Sequence, residues 1–318
     1  MQGVFLDQDT LHPADLDFSP LEAIIPQWKY YGTSATTSEI IDRIRQATIA
    51  VTNKIALTGS ILKQAPHLQL VCIAATGTNN VDLETARRLG IAVCNVRGYC
   101  TASVVEHVFA LILALTRRLA ATSHAATTGA WQHSPHFTVP DFPCRELVGK
   151  TFGIIGYGEL GQAVAQIAKA FGMTVLIAQR PNTSNRPGRI PLKDLLPLVD
   201  ILSLHCPLTP ETTGLIGPDE LASMRSDALL INAARGGIVD EQALADALRK
   251  GQLGGAGVDV LSQEPPRHGN PLLAPDIPNL ILTPHVAWNS REARQYLLTQ
   301  VAKNIRGFLA GKPCNLVS

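Results

Sequence analysis

The sequence predicts an α/β protein built from two doubly wound parallel sheets. Three observations lead there. At 318 residues the chain exceeds what one ordinary core serves, so two domains are the natural division. Short apolar runs alternate with helix-like stretches from 1 to about 98, and a second alternation starts near 151. Its apolar runs lack polar alternation, as strands covered by helices on both faces require.

In the first alternation ATIAVTN, LQLVCIAA and IAVCNV read as strands, and VDLETARRLG reads as a helix stopped by Gly90. The second runs TFGIIGYG, the helix LGQAVAQIAKAFG, TVLIAQ, DLLPLV, DILSLHCP, DALLINAA, the helix VDEQALADALRKGQ, GAGVDV and LILTPH. Between them, residues 116–150 carry weak periodicity and scattered prolines, which marks a functional or partner-packed segment. After Trp288, EARQYLLTQVAKNIRGFLAG is helical and ends at Gly-Lys-Pro.

Bulk properties narrow the function. With 27 basic and 26 acidic side chains the net charge is +1, which supplies no field for nucleic acid or an anionic membrane. Six scattered cysteines without a C-x-x-C pair suggest neither a metal site nor a disulfide framework, and point to reduced thiols in the cytoplasm. MQGVFLDQDT lacks the basic and apolar regions of a secretion signal. VVEHVFALILAL (104–115) is too short to span a bilayer and contains Glu106 and His107.

The pattern Gly156-Tyr157-Gly158-Glu159-Leu160-Gly161 follows the apolar run TFGII and opens a helix. In that context it is a dinucleotide cradle: Gly156 makes the tight turn, Gly158 admits the pyrophosphate, and Gly161 lets the helix pack on the strand. The helix N-terminus adds amide donors and a positive dipole end. A carboxylate is expected at the end of the next strand to bind the ribose, yet Gln179 and Arg180 stand there. The amide removes repulsion toward a 2′-phosphate, Arg180 adds a charged fork, and Arg186 and Arg189 extend the positive field. These residues predict preference for, or tolerance of, NADP(H), with NAD(H) as the alternative donor.

Three later stretches each carry one ionisable residue at or near a strand end: Arg235 in NAARGG, Glu264 in GVDVLSQEPP, and His285 in LTPHVAW. Such loops border the ligand crevice of an open α/β sheet. An arginine can hold a carboxylate bidentately, and a histidine beside a glutamate can move a proton near neutral pH. His107, inside an apolar helix, reads as structural, and His205 as a border of the cofactor site. Trp131 and Trp288 read as core, interface or pocket residues, and Arg97, at the hinge, as a contact either of substrate or of a domain–domain surface.

These stretches, with ATGTNNVD (75–82), SVVEHVFALILALTRR (103–118) and LHCPLTPETTGLI (204–216), make the chain resemble the D-2-hydroxyacid dehydrogenase family over essentially its whole length. TNK (52–54), GAWQHSP (129–135) and TPHVAW (283–288) are most similar to its glycerate dehydrogenase, or hydroxypyruvate reductase, branch. The resemblance implies a Rossmann nucleotide-binding domain (99–287) inserted in a flavodoxin-like substrate domain (1–98 and 288–318). It implies a catalytic set of Arg235, Glu264 and His285, with Thr76 and Gly77 helping to bind a small 2-oxo or 2-hydroxy acid. It also implies cofactor contacts at Gly156, Gly158, Glu159, Leu160, Gln179, Arg180, Cys206, Pro207, Thr212, Ala233 and Asp259, and a homodimer joined through 116–150. The implied reaction reduces hydroxypyruvate or glyoxylate to D-glycerate or glycolate. Alternatives are reduction of another 2-oxo acid, or a nicotinamide-sensing co-repressor without turnover, against which the complete Arg-Glu-His set argues.

Overall fold

In the structure, a computed structural model describing residues 1–181 and 186–317, one unit comprises Met1–Cys100 with Trp288–Ser318 and the other Thr101–Ala287. The first contains five parallel strands: β1 (Gly3–Phe5), β2 (Trp28–Tyr30), β3 (Ile49–Thr52), β4 (Leu70–Ile73) and β5 (Ala92–Cys94). Their order is β2-β1-β3-β4-β5, the flavodoxin-like arrangement. Alternate side chains leave the strands toward opposite faces. Val4, Ala50, Val71 and Val93 enter one core, while Phe5, Ile49, Val51, Leu70, Cys72 and Cys94 enter the other. Both faces are covered, which explains why these strands read as unbroken apolar runs.

The C-terminal helix, Arg291–Leu309, supplies the cover for the second of those faces. Leu297, Leu298, Val301 and Ile305 are fully buried, at the spacing of a single helical stripe. Each such burial contributes about 1.5–3 kcal/mol. Ser290 caps the helix by accepting from Ala293 N–H, and Gly311 takes φ +69° just beyond its end. The helix read from VDLETARRLG is Leu83–Arg88, capped by Asp82 and followed by Gly90 at φ +71°. Strands β1 and β2 are additions to the sequence reading; each has three residues, too few to display a period.

Six parallel strands form the sheet of the second unit: β6 (Thr151–Ile155), β7 (Thr174–Ile177), β8 (Ile201–Leu204), β9 (Leu229–Asn232), β10 (Gly255–Val258) and β11 (Leu280–Leu282). The order is β11-β10-β9-β8-β6-β7, so the chain changes direction of travel at β6, between β7 and β8. Outside β7, a further strand is reduced to one parallel bridge, Ala178 to Ile190. The DLLPLV stretch forms a short helix, Leu192–Leu195, and a 3₁₀ turn, Leu196–Leu198. Residues 116–150 contain the helix Leu119–Thr127 followed by turns.

Pairing register sets the geometry of the loops. Ile155 lies opposite Leu204, Leu204 opposite Asn232, Asn232 opposite Val258, and Val258 opposite Leu282. Five strands therefore stop in one row. The next residues, Gly156, His205, Ala233, Asp259 and Thr283, start their loops side by side at the carboxyl edge, where open α/β sheets bind ligands.

Candidate active site

The cradle begins where the sheet changes direction. Gly156 takes φ +92°, and a Cβ there would lie 2.5 Å from the backbone of His205 and Cys206. Only glycine permits this turn at this spacing. Gly161 is pressed on the turn itself: its Cβ would fall 2.1 Å from Gly156 O. Gly158, the N-cap of the helix Glu159–Ala170, has nothing within 4 Å of an added Cβ. A turn that is crowded beneath and open above fits the pyrophosphate of a nicotinamide dinucleotide. Glu159 and Leu160 occupy the helix's first turn, and Glu159 accepts from Thr101 Oγ1.

The remaining predicted cofactor contacts lie along the same edge. Gln179 and Arg180 follow Ala178 at the end of β7. Cys206 and Pro207 follow β8, where Thr212 Oγ1 donates to Pro207 O at 2.7 Å and accepts from Thr209 N–H at 2.8 Å. That hydroxyl closes the loop on itself. Ala233 directly follows β9. His205 sits with Nε2 2.9 Å from Ser203 Oγ and with Nδ1 buried without a partner. Desolvation lowers its pKa to about 4, so the ring is neutral at physiological pH and unsuited to act as an acid there.

The loops after β9, β10 and β11 bring the ionisable residues. Glu264 and His285 meet: His285 Nδ1 lies 2.6 Å from Glu264 Oε2. The other carboxylate oxygen, Oε1, accepts from Leu261 N–H at 2.8 Å. An ionised carboxylate only accepts, so the imidazole proton of this bond sits on Nδ1. Both side chains are about one-third exposed or less, at 27% for His285 and 32% for Glu264, so the pair is reachable from solvent. Arg235 is exposed, and its Nη1 donates to Ala234 O at 2.7 Å. Gly236, next to it, has no room for a Cβ, which would stand 1.9 Å from Leu261 O. This contact brings the Arg235 loop against the loop that carries Glu264.

Two anchoring roles were absent from the sequence reading. Asn232, almost fully buried, accepts from Ala234 N–H at 3.1 Å and donates to Arg235 O at 3.0 Å, which stiffens the Arg235 loop. Asp259, only 1% exposed, was read as a cofactor contact; its partners within the chain also make it an anchor of the loop after β11. Oδ1 accepts from Thr283 Oγ1 at 2.6 Å and Val286 N–H at 2.9 Å; Oδ2 accepts from Ala287 N–H at 2.9 Å. Its backbone O accepts from His285 N–H at 2.8 Å. These four bonds hold His285 at φ +55°, a left-handed conformation that costs a non-glycine residue about 1–3 kcal/mol. His107 Nε2 lies 3.0 Å from Thr283 Oγ1 and 3.5 Å from Asp259 Oδ1, as a support of the same loop. Nothing in the sequence distinguishes such a carboxylate from a solvated one, because its partners are two backbone amides and a threonine hydroxyl far along the chain.

Thr76 and Gly77 belong to the first unit, on the loop after β4. There Thr76 Oγ1 donates to Val96 O at 2.9 Å, and Thr76 O accepts from Asn95 Nδ2 at 2.8 Å.

Comparison with known proteins follows the same lines. Residues 109–287 match the family model "D-isomer specific 2-hydroxyacid dehydrogenase, NAD binding domain". The chain is 44% identical to a glycerate dehydrogenase of Methylorubrum extorquens, over 99% of this chain and 98% of that protein. It is 39% identical to a hydroxypyruvate reductase of Blautia hydrogenotrophica, over the full length of both. Among solved structures, an acyclic imino acid reductase in complex with NADPH and D-Arg superimposes with a TM-score of 0.84 at 30% identity, with both chains covered completely. No helix among the described residues is long and apolar enough to cross a membrane. The glycine cradle, the level strand ends and the joined Glu264–His285 pair thus stand in a chain that belongs to the D-isomer specific 2-hydroxyacid dehydrogenases, a family of NAD(P)-dependent oxidoreductases.

Proposed function

We propose that this enzyme reduces small 2-oxo acids, hydroxypyruvate and glyoxylate first among them, to D-glycerate and glycolate, with NADP(H) preferred over NAD(H). The observation that carries the reading is the Glu264–His285 pair at 2.6 Å on the carboxyl edge of the sheet. The relatives named glycerate dehydrogenase and hydroxypyruvate reductase support the choice of acid. Gln179 and Arg180, in place of a ribose-binding carboxylate, support the choice of cofactor. The dinucleotide, when bound, supplies the hydride.

The chain's own residues handle binding and the proton. Arg235 orients the substrate carboxylate and polarises the oxo group. His285, protonated on both ring nitrogens, gives its Nε2 proton to the alkoxide oxygen as negative charge develops there. Glu264 holds the ring through Nδ1–H and stabilises its positive charge. Asp259 keeps the loop in place, and the cofactor contacts are assigned to the edge residues from Gly156 to Ala233 and to Asp259. Substrate carboxylate donors in the first unit are assigned to the amides around Thr76 and Gly77. Reduction consumes the Nε2 proton of His285, and oxidation returns a proton to that nitrogen.

A panel of 2-oxo acids assayed with NADPH and with NADH tests the assignment. The expected result is the highest kcat/KM for hydroxypyruvate or glyoxylate with NADPH. Failure to turn over any 2-oxo acid rejects the reaction in favour of a sensing role, and a strong NADH preference rejects the cofactor assignment. The assembly assigned to the chain is a homodimer through 116–150, where Trp131 and Phe137 are 56% and 92% exposed; a monomer in equilibrium sedimentation would exclude it. The compartment assigned is the cytoplasm, on the sequence grounds given above.

A further inference from the structure

Beyond β7 the chain leaves the sheet and returns beside it. Gln179 N–H donates to Ile190 O at 2.7 Å, and Ile190 N–H donates to Ile177 O at 2.9 Å, which closes the bridge between Ala178 and Ile190. Just before this bridge, Arg189 N–H donates to Arg186 O at 3.1 Å, and Gly188 supplies the φ of +74° that the turn needs. Arg189 thereby lies across from Ile177, the last residue of β7, one step before the bridge that leads to Gln179.

Its side chain is also held. The Arg189 guanidinium lies over the Tyr157 ring, 4.8 Å from the centroid. Tyr157 is the residue between Gly156 and Gly158, so this contact ties the Arg189 turn to the residue at the centre of the glycine motif. A guanidinium stacked by its face keeps its in-plane N–H donors for an anion. A side chain ordered beforehand also loses less entropy on binding than a solvated one. The neighbouring amide at Gln179 brings no negative charge to oppose an incoming phosphate.

We infer that Arg189, steadied by Tyr157, is a second anchor for the 2′-phosphate of NADP(H), in addition to Arg180, and so a specificity-determining residue of this enzyme. The inference rests on the NADP(H) reading above and adds a residue from a different turn of the chain. A second guanidinium adds charge-assisted donors for the phosphate beyond those of Arg180.

Calorimetric binding of 2′,5′-ADP and of 5′-AMP to the full chain tests this without turnover, because the two probes differ only in the 2′-phosphate. The expected result is that the unaltered protein favours 2′,5′-ADP and that Arg189→Gln cuts this preference about tenfold. Arg189→Lys, which keeps charge without the planar fork, retains part of it, and Tyr157→Leu loses part of it. Binding of 5′-AMP in each variant reports that the cradle has folded. If the unaltered protein favours 2′,5′-ADP and Arg189→Gln favours it equally, Arg189 is excluded while the NADP(H) reading stands. If the unaltered protein shows no preference, the NADP(H) reading fails and this inference fails with it.

Discussion

Replacing His285 by alanine lowers kcat for reduction by about 10²–10⁴-fold, the range that a positioned general acid contributes, and leaves dinucleotide affinity nearly unchanged. The separation follows from the layout of the edge. His285 follows β11, whereas the cradle follows β6, with β8, β9 and β10 between them. The imidazole is committed to Glu264 through Nδ1, so its removal takes away the proton donor and touches no cradle residue. Glu264→Gln is the companion variant. An amide cannot hold the ring through a charge-assisted bond, so the maximum rate drops. Steady-state kinetics, with dinucleotide binding followed by fluorescence, read both effects. A His285→Ala enzyme that reduces its acid at the original rate removes His285 from the mechanism.

Asp259→Ala is expected to have the second largest effect, and the effect is on two properties together. The substitution leaves the Val286 and Ala287 N–H groups and the Thr283 hydroxyl without their acceptor. Each buried neutral donor left unsatisfied costs about 1–3 kcal/mol, several kcal/mol for the set. For a unit of this size that corresponds to a fall in Tm of about 10 °C. The His285 loop, held at φ +55°, relaxes toward an unstrained backbone and carries the ring away from Glu264, so kcat falls in parallel. Asp259→Asn separates the two causes: it keeps one acceptor and places an NH₂ against a backbone N–H, which predicts intermediate stability with poor turnover. Thermal unfolding and kcat measured on one preparation check this. Full turnover in Asp259→Ala would show that the loop keeps its conformation without the anchor.

The fold was legible where burial imposes a period. The strands β3 to β11 are apolar runs in the sequence because helices cover both sides of them, and the C-terminal helix shows its stripe from Leu297 to Ile305. Gly156 and Gly161 were legible for a different reason: each meets backbone at 2.5 Å or less, and no other residue fits. Less could be read where a side chain binds backbone far away in sequence. Asp259 and Asn232 look like ordinary polar residues at strand ends, and only the register row shows which amides they face. Asp7 is a third case. It is buried after β1 and accepts from the N–H groups of Asn53, Lys54 and Ile55, with burial raising its carboxyl above the usual range despite those donors. Arg189 was legible as positive charge, while its stacking on Tyr157 depends on a bridge of one residue pair.

The common stopping line of β6, β8, β9, β10 and β11 also says how this enzyme can change over evolutionary time. Deleting one residue within β10 would turn Asp259 to the opposite side of the sheet and dismantle the support of a loop belonging to another strand. Lengthening the chain past the line moves no neighbour's first loop residue. Drift by insertion is therefore confined to the outer portions of the loops, such as those beyond Thr212 or Glu264, and new substrate preferences should arise there by length variation while the strands themselves accept only exchanges of one residue for another.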